Sequence, residues 1–80
     1  MQSHTITKAV QVEIAYYDAV QDDVNSGGCY SHAVSVARTL GGIEIANSND
    51  ENGVKSFAPT IEFSFNDASS VQITYGGVFL

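Results

Sequence analysis

In the second half of the chain, apolar and polar residues alternate with a period of two. The runs are Ile43-Glu44-Ile45, Ile61-Glu62-Phe63-Ser64-Phe65 and Val71-Gln72-Ile73-Thr74-Tyr75. Successive side chains of a strand point to opposite faces, so each run reads as a half-buried strand. The pattern predicts antiparallel strands near 43–46, 60–66 and 70–75. Their inward residues would be Ile43 and Ile45, then Ile61, Phe63 and Phe65, then Val71, Ile73 and Tyr75. Glu44, Glu62, Ser64, Gln72 and Thr74 would face outward. Residues 66–70 are short and rich in turn formers, so the last two strands read as a hairpin. Pro59 stands just ahead of the second strand, where its missing amide hydrogen is tolerated.

Before residue 41 the period lengthens. Over 29–40, Cys29, Tyr30, Ala33, Val36, Ala37 and Leu40 share one helical face, and Ser31, His32, Ser35, Arg38 and Thr39 lie opposite. Arg38 suits the negative end of a helix, and Gly41 can supply the left-handed residue that stops it. Residues 5–25 support two readings. The first ten alternate like a strand, but no Gly, Pro or Asn separates Ile14 from Ala15. A single helix from about 5 to 25, with a stripe of Ile6, Val10, Tyr17, Val20 and Val24, is preferred, although Glu13 intrudes on that stripe. The alternative is a strand to Ile14 followed by a short helix capped by Asp18, with Gln21 completing a capping box. Either way the expected class is α+β: two N-terminal helical segments on one face of a small antiparallel sheet of about three strands.

Length confines this to one domain, residues 1–80. Nine Val and six Ile against two Leu agree with a sheet-dominated core. Hydrophobic residues at 44% and charged residues at 15% exclude a disordered composition. The net charge of −6 makes direct contact with nucleic acid or an anionic membrane repulsive. With one cysteine, a non-basic start and no long apolar run, the sequence suggests a cytoplasmic protein without signal peptide or membrane span.

Candidate chemistry is sparse. Cys29 and His32 stand three apart, but a zinc site needs three or four ligands and a thiol nucleophile needs an oxyanion hole; a core cysteine and a solvated histidine are expected. Ser48, Asp50 and Asn52 followed by Gly53 resemble the opening of a calcium loop, yet Pro59 stands where the closing Glu is required. No cofactor or metal is expected. The most informative pattern is Asp18, Asp22 and Asp23, with no base between Lys8 and Arg38. On a helix Asp18 and Asp22 repel, so they do nothing for local stability. They form a candidate patch for a basic partner, with Tyr16 or Tyr17 as anchor and Glu44 and Glu62 adding charge from the sheet. The plain alternative is a solubilising face.

Size, charge, the Asp18, Asp22 and Asp23 cluster and the helix-then-hairpin order together resemble a class of very small acidic proteins encoded by bacterial viruses, among them anti-CRISPR proteins and DNA mimics. The resemblance implies a non-catalytic inhibitor that blocks a larger host nucleoprotein machine by docking on a basic protein surface, as monomer or homodimer. It carries over no residue roles. Two other functions stay open: a structural or oligomerisation module whose sheet edge at Val78-Phe79-Leu80 pairs with a partner, and a metal-binding or thiol-dependent enzyme.

Overall fold

A single 14-residue helix, α1 (Lys8–Gln21), takes up the ambiguous N-terminal stretch in the computed structural model, which describes residues 6–48 and 59–80. Its start is held from two directions. Thr7 caps it, accepting from the Val10 amide at 3.2 Å, while the turn between two strands reaches over to the remaining amides. Lys8 N–H donates to Asp67 Oδ2 at 2.8 Å and Ala9 N–H to Ser69 Oγ at 3.2 Å. The helix amides that lack an intrahelical acceptor are thereby satisfied. At the other end, Asp23 N–H donates to the Val20 carbonyl and Val24 N–H to that of Ala19, with Asp23 at φ 62. This is the Schellman arrangement, with Asp in the left-handed position that Gly usually takes.

The second helix, α2 (Ser26–Thr39), begins three residues earlier than the expected 29–40. Asn25 accepts from the Gly28 amide at 2.7 Å, and this cap carries Gly27 and Gly28 into the first turn despite their helix cost of about 1 kcal/mol each relative to Ala. The two helices form an antiparallel hairpin over one face of the sheet.

That sheet has four strands in the order β1 (Ile43–Asn47), β2 (Thr60–Ser64), β3 (Ser70–Thr74) and β4 (Gly77–Phe79), all neighbours antiparallel. The class is α+β, with one strand more than expected. The additional strand is the three-residue β4, too short to show a period of its own: Tyr75 and Gly76 form a tight turn, and Val78 pairs with Ile73. One side of the C-terminal strand is thereby paired within the chain, and β4 forms an edge of the sheet. Ile61, Phe63, Phe65, Val71 and Ile73 are buried as expected, and Glu62, Ser64, Gln72 and Thr74 lie on the opposite face. Tyr75 is only partly covered: it sits in the turn, 41% exposed, with its ring on the helix side, edge-on to Tyr30 of α2 at 5.2 Å.

Two expectations fail on the helical side and at β1. The buried face of α1 is Ala9, Val12, Tyr16 and Ala19, not the stripe of Ile6, Val10, Tyr17, Val20 and Val24. Small residues explain this, because Ala9, Ala19, Ala33 and Ala37 let the backbones approach closely while Val12, Tyr16 and Cys29 fill the space between. In β1, Ile43 pairs with Ser64 and Glu44 with Phe63, so Ile43 is on the outer face and Glu44 on the helix side. A bulge between Glu44 and Ala46 then breaks the alternation. Ile43 and Ile45, expected inside, are 67% and 53% exposed. The entry into β1 is tightly fixed: a Cβ on Gly42 would lie 2.8 Å from both the Ala37 carbonyl oxygen and Phe65 Cε1.

Candidate protein-docking site

The antiparallel helical hairpin separates charge by its two ends. Asp18 and Asp22 fall one turn apart at the end of α1, Asp23 follows, and all three are exposed. The two described basic residues are at the other end. Lys8 opens α1 and its Nζ donates to Asn66 Oδ1 at 2.7 Å; Arg38 closes α2 and lies 3.9 Å from Glu44. At a rise of 1.5 Å per residue, Lys8 is ~15 Å from Asp18 along the helix and ~21 Å from Asp22. The Debye length is ~8 Å at physiological salt, so neither base compensates the three acids. The acids also occupy the negative end of the α1 dipole, an unfavourable place that the nearby N-terminus of α2 partly offsets.

Of the tyrosines considered as anchors, Tyr16 is excluded from direct contact. It is 3% exposed, and its hydroxyl donates to the Tyr75 carbonyl at 2.8 Å. Burial pushes its phenol pKa upward, with the neighbouring Cys29 adding to the effect. Tyr17 is the accessible one, 43% exposed, its ring edge-on to that of Tyr16 at 5.1 Å. Its hydroxyl accepts from the Val78 amide at 3.4 Å, which holds the ring against the outer edge of β4.

Glu44 and Glu62 do not join the acidic end. Glu44 lies on the helix side of β1 beside Arg38, and Glu62 is half-buried in the middle of the opposite sheet face. Asp67, read from sequence only as a turn residue, is instead a helix cap. Hydrogen bonds from the Ser69 hydroxyl, then from the Lys8 and Ser69 amides, lower its pKa to about 2.

An unexpected feature is the apolar flank of α1. Ile14, Tyr17 and Val20 follow one another at a spacing of three and are 45%, 43% and 46% exposed, with half-buried Val10 one turn before Ile14. The sequence does carry this signal, because most of the stripe first assigned to the core is this row.

The remaining candidate chemistry separates. Cys29 is buried at 1% exposure, its thiol donating to the Val24 carbonyl, whereas His32 is exposed on the other side of α2. Among the described residues no three of His, Cys, Asp and Glu gather where they could hold a metal ion. Asp50, Asn52 and Gly53 of the calcium-like loop lie outside the described residues. A cleft of about 500 Å³ runs between α2 and the first two strands, lined by Tyr30, Val34, Arg38, Asn47 and Ile61, on the flank away from the acids. No described helix is long and apolar enough to cross a membrane. No protein-family model, no curated protein and no solved structure matches the chain.

Proposed function

We propose that this protein is a small acidic inhibitor of the anti-CRISPR kind, which blocks a larger nucleoprotein machine in the cytoplasm of a host cell by docking on a basic protein surface. It acts by occupancy, without catalysis or cofactor, and its carboxylates take the place of nucleic-acid phosphates. The observation that carries this reading is the acidic end of the helical hairpin: Asp18, Asp22 and Asp23 are exposed and lie beyond the reach of Lys8 and Arg38. Such a cluster is repulsive in the free protein and gains when a basic groove meets it.

Pull-down from bacterial lysate with mass spectrometry tests this reading, comparing the wild type with the variant Asp22→Lys/Asp23→Lys. The expected result is a basic nucleic-acid-binding protein recovered by the wild type and lost in the variant. Equal recovery by both would reduce the cluster to a solubilising face.

A second reading is supported by Ile43 and Ile45, which leave an edge strand with exposed apolar side chains. It makes the chain a self-associating structural module. Sedimentation across a concentration series, with Ile45→Asp as the control, separates it from the first.

A further inference from the structure

We propose that the exposed apolar row of α1 seats a basic amphipathic helix of the partner protein; this rests on the basic-partner reading above and identifies what the partner presents. Val10, Ile14, Tyr17 and Val20 form a stripe that runs ~15 Å along the helix axis. Tyr17 carries the row to the edge of β4, where a Cβ on Gly77 would sit 3.0 Å from Tyr17 Oη, so the glycine leaves space where helix and strand meet.

An oblique apolar row on a helix, with neighbours at spacings of three and four, forms a ridge that packs into the groove of another helix laid across it. Charge then selects the occupant. Asp18 lies one turn beyond Ile14, and Asp22 and Asp23 close the same end, so the apolar row has an acidic border and the complementary helix carries Lys or Arg beside its apolar face. In the other exposed apolar pair, Ile43 and Ile45, the acid between them, Glu44, is matched by Arg38. Tyr17 is held in place by the Val78 amide before any partner arrives, which reduces the ordering cost of using it as an anchor.

Two synthetic peptides of equal charge test the proposal by isothermal titration and amide chemical-shift mapping: a Leu/Lys helix of roughly 18 residues with one apolar stripe, and a Lys/Gln helix without it. The amphipathic peptide is expected to bind at least about tenfold more tightly, with shifts at Val10, Ile14, Tyr17 and Val20. Tyr17→Ala is expected to remove that advantage. Because Tyr17 also touches β4, Ile14→Ser is the second variant, expected to reduce the advantage with an unchanged melting temperature. Equal affinity for the two peptides would overturn the helix-seat proposal while leaving an electrostatic basic-partner reading standing. Binding of neither peptide would overturn both. Tighter binding of the amphipathic peptide with shifts centred on Ile43 and Ile45 would also overturn the proposal, placing the seat on the wrong flank.

Discussion

The two outer flanks of this sheet both expose apolar side chains, and they are built in different ways. On the β4 flank, α1 lies alongside the edge, Tyr17 accepts the Val78 amide, and a row of Ile14, Tyr17 and Val20 ends in three acids that neither Lys8 nor Arg38 compensates. On the β1 flank, Ile43 and Ile45 are more exposed still, a bulge interrupts the strand, and Glu44 is matched by Arg38. Exposed apolar area alone therefore does not distinguish a docking surface. A fixed anchor and an unbalanced charge border do, because they lower the ordering cost of binding and select a partner.

The sharpest test of the contrast places the same substitution in the core and on the β1 flank. Ile73 is fully buried beneath the helices, so Ile73→Asp forces an unpaired charge into a small core, costing on the order of 4 kcal/mol and unfolding most of the protein. Ile45→Asp, at a half-exposed position, is expected to shift stability by no more than about 0.5 kcal/mol. Thermal denaturation followed by circular dichroism reads both, and similar melting temperatures for the two variants would erase the distinction between core and flank.

Gly42→Ala probes how firmly the β1 flank is joined to the rest. The added methyl group meets the Ala37 carbonyl and the Phe65 ring at 2.8 Å, and the backbone contact cannot yield cheaply. A loss of about 1–3 kcal/mol in urea denaturation is expected. A neutral result would mean that the connection from α2 into β1 adjusts freely.

Much of this architecture is legible in the sequence because local pattern and tertiary demand agree there. Ile61, Phe63, Val71 and Ile73 alternate in sequence and are buried in alternation, since β2 and β3 are central strands with one covered face. The second helix was readable from Ala33, Ala37 and Arg38. Elsewhere the deciding contacts are distant. The face that α1 buries is chosen by close packing on the alanines of α2, a constraint invisible in residues 8–21 alone. The reversal of Ile43 and Glu44 follows from pairing with Ser64 and Phe63 and from the bulge. Of the candidate site, the acidic residues were legible as uncompensated because the chain has so few bases. Which tyrosine remains accessible was not, since Tyr16 and Tyr17 are adjacent and only packing separates them.

Tyr17→Phe narrows the test to the β4 edge. It keeps the ring and removes the acceptor of the Val78 amide, a single long hydrogen bond worth about 0.5–1 kcal/mol. Hydrogen exchange at Val78 should quicken about two- to fivefold while that of Ile61 stays unchanged. Unchanged protection at Val78 would show that α1 does not guard this edge.

The smallest effect expected is at acid pH, where Asp67 ties α1 to the β2–β3 turn. Its pKa is depressed, so the carboxylate's contribution is complete above its ordinary value near 4 and is lost as pH falls through about 2. The Lys8 and Ser69 amide shifts should follow that low titration in the wild type and lose it in Asp67→Asn. A midpoint near 4 would mean that the cap is not formed in solution.

The central claim is that the acidic end of the helical hairpin is an interaction surface and not a solubilising one. Its most direct test is the association rate constant of the recovered partner, measured by surface plasmon resonance over a range of ionic strength for the wild type and for Asp22→Lys/Asp23→Lys. Rim charges act chiefly on encounter, so the wild-type rate should fall as salt is raised, and the folded double variant should associate more slowly with a flattened salt dependence. The same rate and the same salt dependence in both proteins would contradict the claim.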